Sequence, residues 1–129
     1  MKDKTIAYEE LVSGYEFPHV SYKLSAPLVS KYLKAVDGSA DGFVPPLAIT
    51  AHAMAAMTGA LSLPAGSIHA SQELEFFKLV PIGATIECRA KVAQKLTRGK
   101  VRLLVLELSV FDQNREKVQS GKTTVVLPA

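Results

Sequence analysis

The feature that most constrains the fold is a long run without charge. No Asp, Glu, Lys or Arg occurs from Gly42 to Gln72, and the least polar part is VPPLAITAHAMAAMTGALSLP, Val44 to Pro64. A membrane-spanning helix needs about 20 mostly apolar residues. Pro45–Pro46 and Leu63–Pro64 bracket this stretch and leave roughly four helical turns between them. The stretch therefore predicts a buried central helix, from about Pro46 to Leu61, and not a membrane span.

This predicted helix is apolar on all sides, so we expect other elements to cover every face of it. Many of its side chains are small, which allows a sheet to approach closely. The apolar positions are Leu47, Ile49, Ala51, Met54, Ala55, Ala56, Met57 and Leu61.

The rest of the chain predicts mainly strands, because apolar and polar residues alternate with a period of two. Val101–Phe111 is apolar on both faces through Leu103–Leu106, which is typical of a central strand. One short helix is predicted from Ser25 to Gly38. The other predicted strands are Phe17–Leu24, Ser67–Lys78, Thr85–Ala93 and Val118–Leu127, with turns at 97–100 and 112–115. These elements predict an α+β fold, in which a curved antiparallel sheet of about five strands wraps the central helix.

Composition excludes several classes of function. The 129 residues fit one domain, and the net charge of +3 comes from basic residues that are spread along the chain, unlike a nucleic-acid-binding stripe. A single cysteine, Cys88, permits no internal disulfide and fits a reducing compartment. The three scattered histidines form no metal-ligand spacing, so we expect neither metal nor cofactor. The N-terminal sequence MKDKTIAYEE has no apolar signal region, which favours the cytoplasm.

Three segments resemble one known family. Thr50–Met54 (TAHAM) is similar to an A-H-G-M motif that opens a central helix, and Tyr32–Asp37 is similar to a Y-x-x-A-x-G-D helix. Ser67–Phe76 followed by Pro81–Ile86 is similar to a strand, a P-x-x-G-D-T turn and the next strand. Together these segments resemble the MaoC-like (R)-specific enoyl-thioester hydratases and dehydratases, which have the hot-dog fold. The resemblance covers nearly the whole chain.

This resemblance implies chemistry on an acyl thioester of coenzyme A (acyl-CoA) or of an acyl carrier protein (acyl-ACP). Water is added to a 2-enoyl thioester or removed from the product, without a cofactor. A backbone N–H at the start of the central helix, here that of Ala53, would donate to the thioester oxygen. The same resemblance implies that Tyr32, Val44 and Pro45 contact the substrate. It also implies a homodimer or a heteromer of hot-dog subunits, with the thioester at the subunit boundary.

The loop before the helix departs from the family pattern. Relatives carry D-x-N-P-x-H there, an aspartate and a histidine that act as acid and base. Here Asp37 is followed at that spacing by Gly42, and Asp41 by Pro46, so the histidine is missing. Asp37 and Asp41 are the remaining candidates for the catalytic carboxylate, and each could equally cap a helix or solubilise a loop. His52 is a candidate base, with a structural role as the alternative.

Other polar residues have two interpretations each. Arg98, Lys100 and Arg102 surround a hairpin tip, where they could bind the phosphates of coenzyme A or form an ordinary charged turn. His69 alternates with Ile68 and Ala70, which predicts that it shares a solvated face with Glu73 and Glu75. The alternating pattern places Cys88 in the core.

Three functions follow, in order of preference. The first is a hydratase or dehydratase with a degenerate loop. The second is a non-catalytic subunit that binds an acyl chain or pairs with a catalytic partner. The third, a hot-dog thioesterase, requires a carboxylate on or beside the central helix, and Val44–Gly66 contains none.

Overall fold

Two α-helices and seven strands make up the described part of the chain. The computed structural model describes residues 6–36 and 42–128, without the side chains of Ala35 and Val36. The helices are α1, Ala26–Val36, and α2, Pro46–Gly59. The strands are β1, Ile6–Ala7; β2, Val20–Lys23; β3, Leu61–Ser62; β4, Ile68–Phe76; β5, Thr85–Arg98; β6, Val101–Asp112; and β7, Lys117–Leu127.

Five of these strands form one antiparallel sheet in the order β2–β5–β6–β7–β4. Strand β6 lies at its centre, as its run of apolar residues predicted. Strands β5, β6 and β7 are joined by short hairpins, whereas β2 and β4 reach the sheet from distant parts of the sequence. The predicted α+β arrangement of a helix against a five-stranded sheet is therefore confirmed, with β2 and β4 as the two edges.

Helix α2 starts where the proline pair predicted and ends two residues earlier than expected. Its last residue is Gly59, and the N–H of Ala60 closes the final turn on the carbonyl of Met57 at 3.1 Å. Leu61 lies instead in β3, which pairs in parallel with β1 through Ile6. No helix within residues 6–36 and 42–128 is both long and apolar enough to cross a membrane.

One side of α2 packs on the sheet and the other is open. Its buried residues are Ala48, Ile49, Ala53 and Met57. Four residues spaced three or four apart share the opposite, exposed side, which we call the open helix face: Leu47, Ala51, Ala55 and Thr58. Leu47 is 57% exposed there. The prediction that every side of this helix is covered is wrong for the single chain, because the sheet reaches only one side of it.

The core consists of two clusters at the two ends of α2. One packs Ile49 and Ala53 against Ile86, and it includes Cys88, which is 3% exposed. Burial raises the pKa of the Cys88 thiol to about 12, so its predicted place in the core is confirmed. The other cluster surrounds Met57.

A bulge in β4 changes which residues share a face. The pairing with β7 shifts between His69 and Ser71, so that His69 lies opposite Val125 and Gln72 lies opposite Thr123. Val125 and Thr123 are buried on the side that faces α2. Since directly opposite residues lie on the same side of a sheet, His69 belongs to the helix side with Gln72. The predicted grouping of His69 with Glu73 and Glu75 was wrong because the alternating pattern does not reveal the bulge.

Candidate functional site

A buried polar network connects the start of α2 to the sheet. Gln119 is 3% exposed on β7, and its Nε2 donates to the carbonyl of Pro46 at 2.7 Å. The Thr50 hydroxyl donates to Oε1 of the same amide at 2.8 Å. These bonds satisfy polar atoms that would otherwise be costly to bury, and they fix the first turn of α2 against β7.

The network continues to the edge strand. Thr123 is 1% exposed on β7, and its hydroxyl lies 2.6 Å from Oε1 of Gln72 on β4. The buried polar roles of Gln119 and Thr123 were not predicted from the sequence. A signal was present, since within Val118–Leu127 they occupy the same alternating positions as Val125 and Leu127. Polar residues at core positions of a strand indicate a buried hydrogen-bonded group.

A small cavity lies between this network and the helix. Its volume is about 10 Å³, roughly that of one water molecule. The lining residues are Thr50, Ala53, Leu74, Leu108, Val110, Gln119, Ser120 and Gly121. Gly121 makes room for β4, because a Cβ there would lie 3.1 Å from both the Glu73 carbonyl oxygen and Leu74 Cδ2. This cavity is too small for an acyl chain.

His52 is half-buried on α2 and packs against an aromatic side chain. Its ring centroid lies 4.9 Å from that of Tyr22, with the two rings tilted by 40°. Burial, followed by the neighbouring Cys88, raises the pKa of the Tyr22 hydroxyl. The contact fits a scaffold residue, whereas a general base would also need an orienting partner and access to substrate.

Asp37 and Asp41 lie outside the described residues, so both remain predictions. The chain is described again from Gly42, whose carbonyl accepts the N–H of Ile82 at 3.0 Å. The Val44 N–H donates to the carbonyl of Val80 at 2.7 Å. The segment that follows the two aspartates is thus tied to the connection between β4 and β5.

Among the expected substrate contacts, Val44 is buried in the single chain. Its side chain is 1% exposed and belongs to the core cluster with Ile49. Its contact with a substrate remains a prediction. Pro45 is half-buried immediately before α2, and Tyr32 is half-buried on α1 against the same cluster. Both remain predicted contacts.

The expected oxyanion donor, the N–H of Ala53, lies inside α2 and not in its first turn. Ala53 is in the third turn, where its N–H belongs to the intrahelical hydrogen-bond ladder, and the residue is 3% exposed. Pro45 and Pro46 have no N–H, so the first amide hydrogen at the start of the helix is that of Leu47. The role of the Ala53 N–H remains a prediction.

Arg98 and Arg102 do not form a joint phosphate clamp. Arg98 pairs with Val101 and Arg102 with Thr97, so successive positions place the two arginines on opposite faces of the hairpin.

Arg102 already has partners within the chain. Its Nη2 donates to the carbonyl of Pro128 at 2.7 Å, and its guanidinium lies 5.2 Å from the Tyr8 ring centroid. These contacts occupy part of the Arg102 guanidinium, and binding of coenzyme A phosphates by Arg98 or by Arg102 remains a prediction.

Neither His69 nor any group of acidic, histidine and cysteine side chains in the described residues forms a metal site. His69 is exposed, with Nε2 at 3.1 Å from the carbonyl oxygen of Ser71. Across residues 6–36 and 42–128, no three side chains from His, Cys, Asp and Glu cluster closely enough to hold a metal ion.

Comparison with known proteins identifies the architecture. The R-hydratase PhaJ1 of Pseudomonas aeruginosa superposes with a TM-score of 0.82 at 19% identity, over 96% of this chain and 86% of that one. A MaoC-like dehydratase of Rhodospirillum rubrum gives 0.73 at 20% identity, over 93% and 94%. The HadBC (3R-hydroxyacyl-ACP dehydratase) complex of Mycobacterium tuberculosis gives 0.71 at 16% identity, over 88% and 96%.

The chain has the hot-dog fold. The predicted similarity in architecture to MaoC-like hydratases and dehydratases is confirmed. Neither a known family nor a curated protein matches the chain in sequence. In hot-dog terms, α2 is the central helix, the five-stranded sheet is its wrapping, and the open helix face is the side that the wrapping leaves bare.

Proposed function

We propose that this hot-dog chain binds an acyl thioester, carried by coenzyme A or by an acyl carrier protein, and acts in the manner of a MaoC-like hydratase or dehydratase. The reaction would be the addition of water to a 2-enoyl thioester, or its reverse. Water oxygen would bond to the β-carbon while a proton is added at the α-carbon. The chain would work in the cytoplasm as one subunit of a hot-dog pair.

The observation that carries this proposal is the uncharged open helix face, which begins next to the loop that contains the candidate aspartates. Leu47 and Ala51 offer an apolar path along α2 for an acyl chain. The N–H of Leu47 stands at the positive end of the helix dipole, where a developing thioester oxyanion would be stabilised. The similarity to R-hydratase PhaJ1 over 96% of the chain supports the same use of the fold.

A carboxylate before the helix would handle the protons. Asp37 or Asp41 would accept a proton from the attacking water and return one to the α-carbon. In relatives a histidine shares this work, and here the positions at the same spacing are Gly42 and Pro46.

The missing histidine favours a second candidate, a non-catalytic subunit. Such a subunit would bind the acyl chain or pair with a catalytic partner that supplies the full loop. The similar HadBC structure is a complex of two different subunits, which supports this arrangement. A thioesterase has no support, since Val44–Gly66 contains no carboxylate.

Hydration of crotonyl-CoA by the purified protein tests the first candidate. We expect loss of absorbance from the conjugated thioester, and a decrease in kcat of at least about a hundredfold when the catalytic aspartate is replaced in Asp37→Asn or Asp41→Asn. Glu10→Gln, at an exposed carboxylate in the short 3₁₀ helix Tyr8–Glu10, is the matched control and should leave the rate unchanged.

Binding measured by calorimetry with a saturated acyl-CoA separates the two candidates. Binding without hydration would exclude the enzyme and support the non-catalytic subunit. Neither binding nor hydration would contradict both.

A further inference from the structure

The edge strand β4 presents an apolar surface beside α2. It ends the sheet, so among residues 6–36 and 42–128 one row of its backbone N–H and C=O groups has no strand partner. On its helix side, Leu74 is 37% and Phe76 is 47% exposed. Phe76 lies opposite Gln119, which bonds to the Pro46 carbonyl, so this apolar edge lies near the start of α2, where the open helix face begins at Leu47. An exposed strand edge next to an uncharged helix face is suited to strand pairing with another subunit.

The other side of the same strand is acidic. Glu73 and Glu75 are exposed and alternate with Leu74, which places both carboxylates on the outer side of the sheet. Lys122 lies opposite Glu73 on β7 but forms no ion pair with it. The acidic side chains that do form ion pairs within residues 6–36 and 42–128 are Glu9, Glu87, Glu107, Asp112 and Glu116.

Pairing of β4 with a second copy brings these carboxylates together in every register centred between Gln72 and Glu75. In an antiparallel pair of two β4 strands, a two-fold axis passes through one residue position. If the axis passes through Glu73 or Glu75, that residue lies opposite its own copy. If it passes through Leu74, Glu73 lies opposite Glu75 of the second copy. Centring on Gln72 sets Glu73 opposite Ser71, with the two copies of Glu73 diagonal to each other. Like charges opposite one another destabilise a strand pair, and diagonal neighbours are still within reach of long side chains.

We propose that the β4 edge and the open helix face dock a second hot-dog subunit of different sequence. Its edge strand carries Lys or Arg at the two outward positions that meet Glu73 and Glu75. The acidic edge opposes self-pairing and selects the partner, which is how charged side chains on edge strands act as specificity devices. This inference rests on that part of the proposed function which makes the chain one subunit of a pair, and not on its activity.

A charge-reversed copy of the chain is the probe for this edge. Sedimentation would measure self-association of the unmodified protein, of Glu73→Gln/Glu75→Gln, and of an equal mixture of unmodified protein with Glu73→Lys/Glu75→Lys. We expect the Gln variant to self-associate about tenfold more tightly than the unmodified chain. The mixture should form a one-to-one pair that is tighter than either component alone and that weakens with added salt.

Glu10→Lys/Glu16→Lys is the control, since it changes net charge equally but away from β4. It should neither pair with the unmodified chain nor alter its self-association. Circular dichroism confirms that each variant is folded.

Equal self-association of the unmodified protein and the Gln variant at low salt would overturn the proposal. So would a mixture in which the charge-reversed copy shows no preference for the unmodified chain. Because these measurements use no thioester, they fail independently of the proposed function. If the chain binds acyl-CoA but self-associates equally with and without Glu73 and Glu75, the proposed function would stand and this inference would be wrong.

Discussion

At the scale of single residues, the fold depends on a few buried polar side chains. Gln119 connects β7 to the first turn of α2, and Thr123 connects β7 to β4. Neither residue contributes to an apolar core, yet together they set where the helix starts relative to the edge strand. Replacing Gln119 removes two of these bonds at once and leaves the Thr50 hydroxyl with only a longer bond, of 3.2 Å, to the Pro46 carbonyl.

Gln119→Leu should therefore lower the free energy of unfolding by about 1–3 kcal/mol, although leucine is more apolar. The Thr50 hydroxyl loses its acceptor at 2.8 Å and the Pro46 carbonyl loses a donor at 2.7 Å. Urea unfolding followed by circular dichroism measures the change. Gln94→Leu, on the exposed surface of β5, is the control and should stay within about 0.5 kcal/mol of the unmodified protein. An unchanged midpoint for Gln119→Leu would mean that the network adds nothing to stability.

Asp112 should make stability depend on pH. Its carboxylate accepts Lys78 Nζ at 2.6 Å and the N–H groups of Asn114 and Glu116, both at 2.9 Å, in the turn between β6 and β7. These bonds, first that from Lys78, hold the pKa of Asp112 below its ordinary value of 3.8. A depressed folded pKa stabilises the protein above the ordinary value, and this contribution disappears as the pH falls through the folded pKa.

Asp112→Asn should accordingly be less stable than the unmodified protein at neutral pH, and the difference should shrink below about pH 4. Thermal unfolding of both proteins across acidic and neutral pH measures it. The control is Asn114→Asp, which changes a charge on the same turn. Gln113 is less suitable as a control position, because its side chain accepts a hydrogen bond from the Thr85 N–H. A difference that does not vary with pH would contradict the ionised role of Asp112.

At the scale of elements, the sequence predicted the helices and strands well and the site poorly. Prolines and periodicity located α2 and the sheet strands because those signals depend on neighbours in sequence. The bulge in β4, the polar contacts of Gln119 and the opposite facing of Arg98 and Arg102 depend on pairing between distant strands. Nothing local encodes such pairing, so the side of the sheet on which His69 lies was predicted wrongly.

Two glycines provide a matched test of element packing. Gly121→Ala adds a Cβ 3.1 Å from the backbone oxygen of Glu73 and should destabilise the β4–β7 pair by about 1–3 kcal/mol. At Gly59, the last residue of α2, an added Cβ meets no atom within 4 Å. Gly59→Ala should leave stability unchanged or raise it by up to about 1 kcal/mol. Calorimetric unfolding of both variants measures the sign of each change in stability. Equal effects of the two substitutions would show that β4 shifts to accommodate the added Cβ at position 121 without a cost in stability.

At the scale of the whole molecule, the hot-dog chain covers one side of its central helix and leaves the other side exposed. The sheet and the two core clusters bury one side of α2, and the open helix face remains without charge. A surface of this kind matters for assembly and contributes little to the fold of the single chain.

Ala51→Glu separates these two roles. Ala51 is exposed at the centre of the open helix face, so the charge should alter the free energy of unfolding of the single chain by no more than about 0.5 kcal/mol. Docking of a partner subunit and binding of acyl-CoA should both be lost, because the charge would be buried there unpaired. Val12→Glu, at a 62% exposed apolar residue far along the sequence, is the control. Retained partner and thioester binding in Ala51→Glu would exclude this face from both.

The order of elements along the chain has a consequence during synthesis. Helix α2 leaves the ribosome before β5, β6 and β7, which supply most of its covering. Strand β2 likewise waits for β5, and β4 waits for β7. The nascent chain thus carries its least polar segment uncovered until these later strands have been made. A transiently exposed apolar segment of this kind favours aggregation before folding is complete.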